Sequence, residues 1–433
     1  MTIEDSCEQS TPESLLRLGI GRMELDWGKV HQFRDHSILF TKEGVKKVPI
    51  YSYDYNSEKI IEGEYDGFSS KISSIKIRLD LLGYDLKSIR KMYDDEMHTW
   101  QRYGGIENIL SFDKFYNVIL SLDISKIDTL KPALEFDIGC CDLGEYVKDW
   151  VFYDCSIIEH FIDDSSKIKE MDFFVFLENL DPYITLRILA DNPENFNKEV
   201  FWIPESELDG YLDCKDVNVG CPLDKKILLV TEGKTDTEII SRTLKELFPE
   251  ISDCFYFIDM QHNDPFKYPF SGCSKLENFC QGLILMNVLN NIIVLFDNDT
   301  AGTRSYNNIL CKANKLHNLV VIKLPNNDLF SKMQTKRKLE VGPEDIRYED
   351  INGRAVAIEC FLDFNKVDQK NLYIRWSSHQ KDMDQYQGAF ENDIKENLKK
   401  EFYKGCLTDG SYDTSKLKLL VEHICSAWTE RQH

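Results

Sequence analysis

Two short stretches of this chain pair carboxylates with glycine directly after apolar runs. In "KKILLVTEGKTD", Glu232 follows the run that ends at Thr231, and Asp236 stands four residues later. In "NNIIVLFDNDTAG", five apolar residues, Ile292 to Phe296, stop at Asp297, and Asp299 follows. Carboxylates crowded together repel one another, and a hard divalent cation relieves them. Mg²⁺, with Mn²⁺ as an alternative, takes oxygen ligands and commonly shares them with phosphate. Two such ions about 4 Å apart activate water and stabilise the leaving oxygen of a phosphodiester. The candidate catalytic and metal-ligating residues are therefore Glu232, Asp236, Asp297 and Asp299. Glu359 joins them as a ligand, because it lies inside the apolar segment "AVAIECFLDF", where an unpaired carboxylate is costly. Asp328, after the last strand of this region, is a weaker candidate.

Each acid also has a plainer reading. Asp236 or Thr235 can cap the helix that follows, and Thr235 with Glu238 has capping-box spacing. Asp299 can cap the helix that starts near Ala301. The argument for chemistry rests on the combination: two acid pairs far apart in the chain, each between an apolar strand and a helix.

Those acids need a scaffold that brings them together. From residue 225 onward strand and helix alternate: "KKILLVTEG", "TDTEIISRTLKELF", "CFYFIDM", "KLENFCQGLILMNVL", "NIIVLFDND", "AGTRSYNNILCKANK" and "NLVVIKLP". The strands are near-continuous apolar runs, which is the pattern of a parallel sheet covered on both faces. Ligands of such sheets bind beyond the carboxyl ends of the strands, and right-handed crossovers bring those ends to one edge. "EGKT" is not the end of a phosphate-binding P-loop, since Leu228 occupies the position that needs glycine.

The remainder predicts an α+β multidomain chain. Residues 1–104 form an N-terminal α+β module, with strands over 15–55 (among them "HSILFT" and "VPIYSY") and two helices over 69–100 broken near Gly83. Residues 105–222 are a middle α/β or α+β region, in which "FDKFYNVILSL", "FFVFLENL" and "ITLRILADN" fit either helix or strand. "FWIPESELDGYLD" there reads as an exposed connection. Residues 223–330 carry the parallel sheet, and 331–433 form a charged, mostly helical region. His31 and His36, in "WGKVHQFRDH", read as residues of a surface loop.

With 433 residues, 42% of them hydrophobic, the chain has enough apolar material for several cores. No apolar run is long enough to cross a membrane, and the polar, acidic start lacks a signal-peptide pattern. A cytoplasmic protein is expected. The 13 cysteines show no C-x-x-C and no zinc spacing, so reduced thiols are expected. The net charge of −22 disfavours a broad basic nucleic-acid groove. Metal ions, a protein partner or a local basic run can supply the missing charge. "SKMQTKRKLE" (331–340) is such a run, and it reads equally well as a solvated loop or helix face.

"VTEGKTD … LFDNDTAG" resembles a Toprim domain, the catalytic fold of topoisomerases, primases, repair proteins of the RecR type and OLD-type nucleases. The resemblance covers about residues 225–326. It implies a Rossmann-like α/β domain, a metal or acid–base role for Glu232 and metal ligation by Asp297 and Asp299. In the OLD type an acid also matches Asp236. "LGIGRMELDWGK", "DHSILF", "RLDLLGY", "LRILADNPEN" and "EVFWIPESEL" are similar to the N-terminal module of bacterial HEPN/Toprim-associated proteins, which implies a role in anti-phage defence. The HEPN ribonuclease pattern needs an Arg and a His a few residues apart. Arg90 and His98 are too far apart, and Arg375 and His379 too close, so a HEPN-like region here is expected to be silent. The resulting expectation is an Mg²⁺-dependent nuclease acting on RNA, with tRNA as one candidate, or on DNA. Its partners would be nucleic acid and either a protein partner or further copies of the chain. The alternative is a non-catalytic Toprim module that binds or senses nucleic acid through a partner protein.

Overall fold

The structure, a computed structural model, describes residues 18–21, 23–26, 34–54, 59–104, 111–126, 177, 180–204, 216–257, 272–313, 316–337 and 344–431. The chain divides into two compact units, Met1–Cys221 and Pro222–His433. Both mix helices and sheets.

The first unit is built on strands β1 (Leu18–Ile20), β2 (Met23–Asp26), β3 (Val45–Asp54), β4 (Lys59–Lys71) and β5 (Glu199–Trp202), with helices α1 (Ile72–Leu81), α2 (Leu86–Gly104), α3 (Phe112–Ser121) and α4 (Pro182–Leu189). The sheet is antiparallel in the order β2-β1-β5-β4-β3. Gly83, at φ 92°, separates α1 from α2 as the sequence predicts. The segments left open between helix and strand, "FDKFYNVILSL" and "ITLRILADN", are helical. Ser111 caps α3 by accepting from Lys114 N–H, and Asp181 caps α4 ahead of Pro182. "FFVFLENL", apart from Leu177 and Leu180, lies outside the described residues.

Three expectations fail in this unit. "HSILFT" is not a strand but holds a 3₁₀ turn, Ser37–Leu39. "FWIPESEL" does not begin as an exposed connection, because Phe201 and Trp202 are buried in β5, the middle strand of the sheet. The Trp202 ring stacks on both Phe68 and Phe40, at 5.5 and 6.0 Å between centroids, and the two phenylalanines meet each other at 6.2 Å. Finally, His36 is not on the surface. It is fully buried, with Nε2 2.8 Å from Asp26 Oδ2 and Nδ1 3.1 Å from the Tyr183 hydroxyl. Burial holds its pKa below the usual histidine value, against the pull of Asp26. His31 lies outside the described residues.

The second unit contains a parallel sheet of β6 (Ile227–Thr231), β7 (Phe255–Phe257), β8 (Asn291–Phe296) and β10 (Leu319–Lys323), in the order β10-β8-β6-β7. Helices α5 (Lys234–Leu247), α6 (Cys273–Met286) and α7 (Thr300–Ala313) form the crossovers. Val230, Ile292, Val294 and Phe296 pack on one face with Leu276, Cys280 and Ile309 of α6 and α7. Their neighbours Leu229, Ile293 and Leu295 are equally buried, because α5 and α9 (Ser415–Thr429) lie side by side in the same unit. Burial on both faces is why these strands read as unbroken apolar runs.

The region after residue 330 is not mostly helical. It begins with a four-stranded sheet, β12-β11-β14-β15, made of β11 (Met333–Arg337), β12 (Asp345–Glu349), β14 (Ile374–Gln380) and β15 (Gln385–Phe390). Helix α8 (Asn392–Lys404) and α9 follow. A two-residue ladder joins β9 (Asn298–Asp299) to β13 (Ala355–Val356). The sheet escaped detection because only one of its faces is buried. Met333, Thr335, Ile374, Trp376 and Phe390 are buried, and the less buried Gln334, Lys336, Arg375, Ser377 and Ala389 alternate with them. Among the described residues, no helix is long and apolar enough to cross a membrane.

Gly302 shows how tightly the β8–α7 turn is closed. A methyl group there would sit 2.3 Å from the Asp297 carbonyl oxygen. Gly302→Ala is expected to destabilise the protein by roughly 1–3 kcal/mol through overpacking. In Gly282→Ala, where nothing lies within 4 Å, a helix-interior glycine is replaced, and a gain of about 0.5–1 kcal/mol is expected. Urea unfolding of both variants measures this; equal stabilities would refute the close contact.

Candidate metal centre

β6 and β8 are neighbours in register, with Thr231 beside Leu295. Glu232 and Asp297 therefore leave the sheet at the same edge. A hydrogen bond joins them: the Asp297 backbone N–H donates to Glu232 Oε1 at 3.0 Å. At the start of α5, Asp236 Oδ2 accepts the Gly233 N–H at 2.9 Å. At the start of α7, Asp299 Oδ1 accepts the Gly302 N–H at 2.7 Å. Asp299 thus caps α7 as its plainer reading expects, whereas α5 is capped at Gly233 and not at Asp236 or Thr235, and Asp236 closes the capping box from the third helical position in place of a Thr235–Glu238 pair. Asp299 also accepts from Gln387 Nε2 on β15.

Glu359 arrives by a different route. β13 pairs with β9, and the chain then enters a 3₁₀ turn, Ile358–Phe361, that buries Glu359. The charge of Glu359 acts on both Asp236 and Asp297. Its own Oε2 lies 3.8 Å from Lys395 Nζ on α8. Asp328 is exposed on a separate 3₁₀ turn and takes no part in the cluster.

Crowding and burial shift the acids. Burial pushes Glu232 up to about 7, and Asp299 pushes the same way against the Asp297 N–H. Burial also pushes Asp236 up to about 7, followed by repulsion from Glu359 and Glu232. Asp297 is raised well above the ordinary carboxylate range by burial and then by Asp236, Glu232, Asp299 and Glu359. Asp299 is raised by burial, which outweighs its hydrogen bonds from Gly302, Gln387 and Ala301 and the attraction of Lys395. Five of the six acids named from the sequence therefore share one volume, and Asp328 lies outside it. Lys395 and Gln387, which also touch it, were not predicted.

As the side chains lie, no group of three or more His, Cys, Asp or Glu residues among those described is arranged to hold a metal ion. The hydrogen bonds explain part of this: Glu232, Asp236 and Asp299 each turn an oxygen to a backbone amide. The donor set nevertheless suits a hard divalent cation. It is made of carboxylate oxygens alone, and the charge of Lys395 lowers the pKa of Asp236 and Asp299.

Without metal, this cluster makes stability depend on pH. The folded-state values of Glu232 and Asp236, about 7, exceed the unfolded values of roughly 4. The folded protein therefore keeps protons that the unfolded chain releases. Their contribution is most favourable below about pH 4 and is lost as pH rises towards about 7. In metal-free protein, Tm should fall between about pH 5 and 8. It should fall less in Glu232→Gln, and Mg²⁺ should raise Tm most at the alkaline end. A wild-type profile identical to that of Glu232→Gln, with no response to Mg²⁺, would contradict the cluster.

Comparison with known proteins bears on the first unit. Residues 13–219 match the family model of the HEPN/Toprim N-terminal domain 1. No curated protein and no solved structure matches the chain. The match stops just short of Pro222, where the second unit begins. Residues 13–219 are thereby similar to the N-terminal domain of HEPN/Toprim proteins.

Proposed function

We propose that the second unit is a Toprim-type catalytic domain and that the protein is an Mg²⁺-dependent nuclease that hydrolyses phosphodiester bonds of RNA or DNA. The observation that carries this reading is the hydrogen bond between Asp297 N–H and Glu232, which locks two acid-bearing strand ends together. The HEPN/Toprim match over the first unit supports it from a separate part of the chain. A role in bacterial anti-phage defence follows from the same likeness and belongs to the proposal.

Asp297, Asp299, Asp236, Glu232 and Glu359 would hold the cation. When bound, it supplies a Lewis acid for the phosphodiester and lowers the pKa of water. The chain's own groups do the rest. Glu232 spends Oε1 on the Asp297 amide, and its Oε2 would accept a proton from the attacking water. Gln387 and the Gly302 N–H orient Asp299. Lys395 offers a cation at the cluster, suited to a non-bridging phosphate oxygen. Purified protein incubated with total RNA, plasmid and single-stranded DNA in Mg²⁺ should cleave at least one of them. Chelator should stop cleavage, and Asp297→Ala should slow it by at least about a hundredfold without unfolding the protein. Cleavage retained in Asp297→Ala would remove the assignment.

A second reading is a non-catalytic module that senses nucleic acid through a partner protein. It is favoured by the lack of a preassembled metal-binding group among the described residues and by the net charge of −22. Calorimetry separates the two. The nuclease reading expects saturable Mg²⁺ or Mn²⁺ binding that the Asp297→Ala/Asp299→Ala double variant loses, whereas heat-silent titrations of the wild type would favour the module.

A further inference from the structure

The basic run "SKMQTKRKLE" supplies β11, and its Arg337, like Arg354, rests on an aromatic ring. Most arginines of this acidic unit face a carboxylate. Arg242 pairs with Glu246 at 2.6 Å, Arg347 with Asp345 at 2.8 Å and Arg304 with Asp382 at 3.4 Å. Arg375 is held by Glu344 and Glu391. Arg337 and Arg354 form no ion pair among the described residues. Each lays its guanidinium on an aromatic ring, Arg337 at 3.8 Å from the Tyr386 centroid and Arg354 at 4.3 Å from that of Trp376.

The rings are themselves fixed. Trp376 Nε1 donates to Glu349 Oε2 at 2.7 Å, and its ring lies against Gly388, where a methyl group would be 2.7 Å away. Tyr386 meets His379 edge-on at 4.8 Å. Glu349 feels the charge of both arginines, but its Oε2 is already taken by Trp376 and by the Thr335 hydroxyl. Stacking uses the flat face of a guanidinium and leaves N–H donors at its edge. Arg354 spends one of these on the Asp350 carbonyl.

Arg354 is tied by backbone to the acid cluster, and Arg337 is linked to it through the ring of Tyr386. Arg354 is bridged to Asp299, and its carbonyl accepts the Gly388 N–H. The Tyr386 carbonyl accepts from Thr300 Oγ1, and the next residue, Gln387, donates to Asp299. We propose that Arg337 and Arg354 form a phosphate-binding edge that seats the sugar–phosphate backbone of the nucleic-acid strand presented to the acid cluster. The inference rests on the nuclease reading and adds to it how the substrate is held: by backbone phosphate, without reading bases.

The test uses the full chain carrying Asp297→Ala, in Mg²⁺, with fluorescein-labelled RNA and DNA oligonucleotides of scrambled sequence and anisotropy as readout. Adding Arg337→Gln and Arg354→Gln should weaken binding about tenfold or more at low salt. It should also reduce the slope of log K against log salt by about two. Arg347→Gln, which removes an exposed and already paired arginine, should change neither. If the double substitution lowers Tm, Arg337→Gln alone should still reduce the slope by about one, and Arg337→Lys should restore it. Unchanged affinity and slope in a protein whose wild type cleaves would overturn the phosphate edge and leave the nuclease reading standing. A wild type that neither cleaves nor binds any oligonucleotide would overturn both.

Discussion

A carboxylate drawn out of water is tolerable only if its charge is answered, and five of them, Glu359 buried and Glu232, Asp236, Asp297 and Asp299 half-buried, converge at the carboxyl edge of the parallel sheet. One bond, from the Asp297 amide to Glu232, sets this arrangement. It joins β6 to β8 just beyond their last ladder partners and holds the two acidic turns together. Everything else in the second unit adds to that point. α5 and α7 begin there and lend amide donors, β9–β13 delivers Glu359, and β15 and α8 bring Gln387 and Lys395. The arrangement is electrostatically unfavourable as it stands, which is the strongest physical argument that it serves something other than stability.

The acids were legible in the sequence because their setting is local. An apolar run buried on both faces, a sudden acid and a glycine occupy a dozen residues, and the parallel sheet guarantees that two such turns meet. Glu359 was legible for a related reason, the cost of a charge within an apolar segment. Lys395 and Gln387 were not. Lys395 is one of four lysines on α8, and only tertiary packing distinguishes it from Lys399, Lys400 and Lys404. Gln387 lies in a strand whose composition, "QYQGAF", says nothing about Asp299.

The same division explains the fold. The crossover helices and strands from 227 to 323 follow from their periods, and so do α1 and α2 on either side of Gly83. β5 was missed because its partners are remote: it pairs with β1 and β4, more than a hundred residues earlier, and Pro204 follows closely in the chain. His36 looked like a loop residue because its sequence neighbours are polar. Its burial depends on Asp26 and Tyr183, neither of which the local pattern marks as a partner. The sheet of β11, β12, β14 and β15 was hidden by its exposed face. Stacking of Arg337 and Lys336 on tyrosines turns an apparently solvated basic run into part of a strand.

The central claim is that the clustered carboxylates are neutralised by a divalent cation rather than by protons. Anomalous diffraction from Mn²⁺-soaked crystals grown near pH 7.5 tests it most directly. The account predicts a manganese peak among Glu232, Asp236, Asp297, Asp299 and Glu359, with at least one carboxylate oxygen turned away from its backbone amide to reach the ion. Strong soaks that leave this volume without a peak, and leave the hydrogen bonds of Glu232, Asp236 and Asp299 as they are, would contradict it.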